Sequence, residues 1–255
     1  MNIARYLILI ILFSVTSAHS ADIHITAEKR VEWHQKDQKT VAIGNAIATK
    51  EDLTVQADTL TGYYNNSNAS TKGKISRVTA SGNVRMSSPK AKALGDNLDY
   101  DLIKDEAVLI GKPAQIDTGT ETITAEDHII YYPNQQKAIA IGNVTATDKD
   151  KNTLYADKMV ADFKKNNKKS QNLTLDKVDV FNNVKIVTNN ATVTADKGTY
   201  LPQKGLIKLF DNVTINQQGN ILQGDKAETN LNTGISKLIS TSPQKRVHGI
   251  FKEKK

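Results

Sequence analysis

The chain has 255 residues, with 34 Lys plus Arg against 27 Asp plus Glu, no cysteine, 38% hydrophobic and 5% aromatic residues. This composition allows an ordinary globular body and excludes a multi-pass membrane protein, a disulfide scaffold and a zinc-finger protein. The net charge of +7 is not a basic face: much of it sits on Arg5, on four Lys within Lys164 to Asn172, and on five basic residues against one acid from Ser240 to Lys255, so nucleic acid is not expected as a partner.

Taken in chain order, residues 1–20 read as a secretory signal peptide. Arg5 is followed by an apolar run from Tyr6 to Val15 and then by small residues ending at Ser20 and Ala21. The uncharged stretch is shorter than the roughly 20 residues that span a bilayer, so cleavage is expected rather than anchoring. Without cysteine there can be no lipid-linked cysteine, and the mature chain is expected outside the cytoplasm.

The body, residues 21–239, carries two alternating marks. A small residue followed by an acid occurs at Ala27-Glu28, Ala57-Asp58, Gly95-Asp96, Ala125-Glu126, Ala156-Asp157, Ala195-Asp196 and Gly224-Asp225. Between them fall Gly44-Asn45, Gly82-Asn83, Gly111-Lys112, Gly142-Asn143, Asn182-Asn183 and Asp211-Asn212. Ile25-Thr26-Ala27-Glu28 returns as Ile123-Thr124-Ala125-Glu126, and Ala42 to Asn45 returns as Ala140 to Asn143, both displaced by 98 residues. The spacing predicts an internal duplication, residues 25–122 and 123–222, plus a closing unit. Each half also carries an insertion, around Asn65 to Ile75 and Lys164 to Leu175.

Within a unit the apolar side chains alternate with period two, as in Val178, Val180, Val184 and Ile186, or Ile207, Leu209, Val213 and Ile215. That period predicts strands. Turn residues follow, such as Pro133-Asn134, Pro202 to Gly205 and Asn232 to Gly234, so each unit reads as an antiparallel strand-turn-strand. A Gly-Asn pair inside a strand predicts a bulge or bend, because Gly takes positive φ without penalty and Asn tolerates it. The acids are expected at strand ends, facing water or a backbone amide. The predicted class is all-β, an elongated jelly roll or sandwich whose inner face is filled by its own side chains or by something long and apolar. Residues 240–255 are predicted to be a basic, disordered tail.

No reactive constellation emerges. His24, His34, His128 and His248 are too far apart for paired-ligand motifs, and neither Gly73-Lys74 nor Gly111-Lys112 belongs to a phosphate-binding loop. Asp99 and Asp101 lie two apart with no third group that the sequence brings near. Neither an enzyme, a metal nor a cofactor is expected.

The segment Asp22-Ile-His-Ile-Thr-Ala-Glu28, the Gly-Asn pairs at Gly44, Gly82 and Gly142, and the closing run Gly224 to Gly234 resemble the OstA-like (LptA) family of periplasmic lipopolysaccharide transport proteins, over nearly all of residues 22–239. The chain departs from that family in its extra length and in Lys112 and Asp211, where Asn and Gly are usual. The resemblance implies a twisted β-jelly roll in the periplasm of a Gram-negative bacterium. It also implies binding of lipopolysaccharide with its lipid A acyl chains shielded, and end-to-end strand pairing with inner-membrane LptC-like and outer-membrane LptD-like partners and with further copies. By that resemblance Ile23 and Ile25 face the groove entrance. Strand parity puts Val84, Met86, Val144, Val184, Ile186, Val213 and Ile215 on the inner face, as trough lining or as packed core. Trp33 and Tyr64 fit the same wall or a core cap. Two other readings stay open: a membrane-tethered LptC-like relative if the leader is retained, and a carbohydrate-binding or adhesin β-solenoid.

Overall fold

The computed structural model describes residues 22–65, 73–165, 173–241 and 246–252. The leader and the central parts of both insertions lie outside these residues. The strands are β1 (His24–Thr26), β2 (Arg30–His34), β3 (Lys39–Lys50), β4 (Leu53–Tyr64), β5 (Ile75–Ser87), β6 (Lys92–Asp101), β7 (Glu106–Ile110), β8 (Ala114–Asp117) and β9 (Glu121–Ala125). They continue as β10 (His128–Tyr132), β11 (Lys137–Asp148), β12 (Thr153–Lys165), β13 (Leu173–Val187), β14 (Ala191–Leu201), β15 (Leu206–Gln217), β16 (Asn220–Asn230), β17 (Ile235–Ile239) and β18 (His248–Ile250). One 3-10 turn, Pro202–Lys204, is the single helical element among the described residues. The all-β jelly-roll class expected from the period-two pattern is what forms, and consecutive long strands pair antiparallel.

Both sequence marks have one structural explanation. Every Gly-Asn-like pair on β3, β5, β13 and β15 is a bulge, with one more residue than the facing strand and a register shift at that point. Both bulge residues take positive φ, 77° at Gly82 and 50° at Asn83, for example. The bulge Asn then donates its side-chain amide to the acid: Asn83 to Asp58 at 2.9 Å, Asn183 to Asp157 at 2.9 Å, Asn212 to Asp196 at 2.7 Å and Asn45 to Glu28 at 2.7 Å. Asp58, Asp96, Asp157, Asp196 and Asp225 sit inside strands and not at strand ends as expected, and at Asp58, Asp157 and Asp196 the bulge turns an amide toward them, whereas Glu28 and Glu126 lie in the short gaps after β1 and β9, at strand ends as expected. The last acid, Asp225, accepts instead from the backbone N–H and the hydroxyl of Thr241, at 3.1 and 3.0 Å.

Two compact units result, residues up to 119 with 125–138, and residues 120–124 with those from 139 onward. In the first, β3 pairs on one side with both β2 and β1, and β6 ends against β7 and β8, with β10 beyond β7. In the second, β9 pairs with β11, the ladder runs from β12 through β16, and β16 carries both β17 and β18. The tail was expected to lack structure from Ser240 onward. Instead His248–Ile250 pairs with Ile221–Gln223, because β17 covers only Lys226–Asn230 of β16 and leaves backbone groups that an apolar stretch with Val247, Ile250 and Phe251 can satisfy. Of the expected tail, residues 242–245 and 253–255 lie outside the described set.

Candidate functional site

Cross-strand register turns the alternating side chains into rows. In the first unit one row runs Val31, Ala42, Leu60, Ala80, Leu98, Leu109 and Ile129, each directly opposite the next. Beyond the bulges a second row runs Ile25, Ala48, Val55, Met86, Ala93 and Ile116. Both rows are buried in their interior and open at the chain's start: Val31 is 51% exposed while Ala42 beside it is 1% exposed.

The second unit differs. Met159, Val180, Gly198, Leu209, Ala227 and Leu238 form a row that is buried as far as Ala227. Across the bulges Leu154, Ile186, Val193, Ile215 and Leu222 form a continuous apolar row, and every member is half-buried. Its side chains share the parity of the core face, yet they keep accessible surface along the whole row. That is a water-facing apolar track about five strands wide, which at the usual strand spacing of about 4.8 Å spans on the order of 20 Å.

The expected site residues divide accordingly. Val84, Val144, Val184 and Val213 are 0–2% exposed; each directly follows a bulge Asn and fills the bend, offering no surface for a ligand. Met86 is buried as well. Ile25, Ile186 and Ile215 lie on the partly open rows, and Ile23 is exposed just ahead of β1. Trp33, on β2, is 68% exposed, with its ring 5.5 Å from that of Tyr64, whose hydroxyl lies 3.3 Å from Thr40 Oγ1. Sequence parity missed Leu154, Val193 and Leu222. A signal for them was present: the residue three before every acid is apolar, from Ile25 and Val55 through Ala93, Ile123 and Leu154 to Val193 and Leu222.

The opposite face is charged and self-satisfied. Asp99 accepts from Arg77 Nε at 2.7 Å and from Nη2 of the same guanidinium, which raises the Arg77 pKa. Lys177 bridges Asp179 at 2.7 Å and Asp162 at 3.5 Å, and Lys226 holds Glu228 below the usual carboxylate range. Asp101 accepts the N–H groups of Ile103 and Lys104 and is likewise lowered, so Asp99 and Asp101 are each engaged and make no acid-base pair. Among the described residues no group of three or more His, Asp or Glu is placed to hold a metal ion. Under the first unit's core, burial pushes the Tyr131 phenol up to about 12, and the same cause acts on Tyr200 in the second.

The family described as LptA/(LptD N-terminal domain) LPS transport protein matches residues 24–137 and again 122–235, two matches that begin 98 residues apart. No curated protein matches the chain. Among solved structures, it is similar to LptH, the LptA-homologous periplasmic component of the lipopolysaccharide transport device from Pseudomonas aeruginosa, at 12% identity, covering 91% of this chain and 96% of that one, with a TM-score of 0.23.

Proposed function

The chain belongs to the LptA/LptD N-terminal-domain family of lipopolysaccharide transport proteins, and from that premise we propose that it is a periplasmic lipopolysaccharide-binding bridge that shelters lipid A acyl chains between the two membranes. The observation that carries this reading is the half-buried row Leu154, Ile186, Val193, Ile215 and Leu222, an apolar surface on the core face that the chain's own side chains leave partly uncovered.

Physics sets the size of the task. Each CH₂ removed from water is worth about 0.8 kcal/mol, so a twelve-carbon chain exposed to water costs on the order of 10 kcal/mol. A track of branched aliphatic side chains offsets that cost without directional bonds, so an acyl chain can slide along it. The buried valines at the bends hold the wall in place, and the paired charges of the outer face keep it in solvent. The ends serve the neighbours: edge strands β1 and β2 at one end, and β17 and β18 at the other, can add to LptC-like and LptD-like partners or to another copy by backbone pairing.

The test is equilibrium binding of fluorescent lipopolysaccharide to purified protein. Saturable binding displaced by lipid A and not by the core oligosaccharide supports the reading; displacement by the oligosaccharide alone supports a carbohydrate-binding protein instead. Ile25→Asp, on the open end of the first unit's row, is expected to weaken binding at least several-fold with the far-ultraviolet spectrum unchanged.

A further inference from the structure

Of the chain's fourteen glycines, thirteen are explained by the fold. Eight take positive φ in turns or bulges, and a Cβ at Gly95, Gly111, Gly198, Gly224 or Gly249 would meet another atom at 3.0 Å or less. Gly62 has neither reason: it lies within β4 at an ordinary φ, and a Cβ there meets nothing within 4 Å. A glycine inside a strand weakens it, and often marks a place where a ligand or another backbone comes close. Gly62 is on the inner face, between Thr40 and Val78, with Trp33 beyond Thr40 and Tyr100 beyond Val78. Tyr64 lies two residues on, its ring tilted 32° to that of Trp33, and its hydroxyl shares one hydrogen bond with that of the buried Thr40. The result is a recess floored by bare backbone, with two aromatic rings and two hydroxyls at its side.

The internal duplication supplies a control. Counted from Asp157 as Gly62 and Tyr64 are from Asp58, the second copy has Ala161 and Phe163, and Ala161 faces Val178 and then Tyr200 just as Gly62 faces Val78 and then Tyr100. Trp33 and Thr40 return 98 residues later as Tyr131 and Ala138. Tyr131, Ala138, Ala161 and Phe163 are all buried. Where the second copy is packed shut, the first drops a methyl at Gly62, gains hydroxyls at Thr40 and Tyr64, and exposes Trp33.

We propose that Trp33, Thr40, Gly62 and Tyr64 form a subsite for one sugar ring, the ring to which the acyl chains of a glycolipid are joined. The choice of ring rests on the transport reading above; the recess itself does not. An acyl chain would leave both hydroxyls without a partner, whereas a pyranose offers an apolar C–H face to the aromatic rings and hydroxyls at its edge. Thr40 and Tyr64 each have one O–H and two lone pairs, so their mutual bond leaves a donor and acceptors for a ligand. The row Val31, Ala42 and Leu60 lies two residues nearer the bulges on the same strands, about 7 Å away, so a ring held at Trp33 delivers its acyl chains to the open end of that row.

Trp33 is the chain's single tryptophan, so its emission reports on the recess directly. Octyl glucoside below its micelle concentration should change that emission saturably, and 1-octanol, with the same chain and no ring, should bind at least fivefold more weakly. Gly62→Val, which fills the recess, should raise the dissociation constant for octyl glucoside at least tenfold with the thermal transition not lowered. Tyr64→Phe should weaken octyl glucoside several-fold and leave 1-octanol unaffected. Equal binding of the two probes, or an octyl glucoside affinity untouched by both variants, overturns the inference and leaves the transport reading intact. A wild-type protein that gives the octyl glucoside response and does not bind lipopolysaccharide would instead remove the transport reading and leave the sugar subsite standing.

Discussion

At the scale of single residues, the bulge positions show how a repeat in sequence becomes a repeat in structure. A Cβ on Gly82 would sit 2.2 Å from the Asp58 carboxylate at a φ of +77°, whereas a Cβ on Gly62 meets nothing within 4 Å. Gly82→Ala is therefore expected to cost at least about 2 kcal/mol, and Gly62→Ala to stay within about 1 kcal/mol, measured by urea denaturation. Equal costs would mean that the bulges are not the fixed points of the fold. Tyr131 and Tyr200 give a second prediction. Burial raises each phenol to about 12, above the roughly 10 of an unfolded tyrosine, so both are neutral in the folded chain at lower pH. Stability should be flat in pH below about 10 on their account and fall between about 10 and 12, where the unfolded chain releases protons that the folded chain retains. The Phe variants should lose that part of the slope.

At the scale of elements, the open row of the second unit and the valines at the bends make opposite predictions. Ile186→Asp and Ile215→Asp alter half-buried positions and are expected to lower lipopolysaccharide affinity about tenfold or more with the fold retained. Val184→Ala, at 2% exposed, is expected to cost about 2 kcal/mol and to leave affinity nearly unchanged. Reversal of that split, seen by pairing thermal melts with binding titrations, would assign ligand contact to the bends. The strands themselves were legible because period-two alternation and turn residues are local signals. The choice between lining and core was not. Val184 and Ile186 share parity and hydrophobicity, and only the cross-strand register shows that one closes a bend while the other lies in a row with accessible surface. Likewise, the tail looked unstructured because its apolar residues are few; the bare half of β16 that β18 satisfies belongs to a strand some 27 residues earlier in the chain.

At the scale of the whole molecule, the 98-residue displacement visible in sequence is also the displacement between the two family matches. The two compact units do not divide at that repeat boundary. β9 pairs with β11 and β10 with β7, so the chain changes unit three times between Gly119 and Ile139. A cut at the repeat boundary splits β9 and separates β10 from β7, and is therefore expected to yield halves that fold poorly alone. Cooperative melting of both separate halves, at temperatures close to that of the intact chain, would show that the exchange contributes little.

The most direct measurement is site-specific photocrosslinking of lipopolysaccharide to the full chain, with the photoreactive residue placed in turn at Leu154, Ile186, Ile215, Val184 and the outer-face Lys177. Crosslinks at Leu154, Ile186 and Ile215 that are lost on adding lipid A, with none at Val184 or Lys177, are the predicted result. Crosslinks at Lys177 in the absence of any along the row would contradict it.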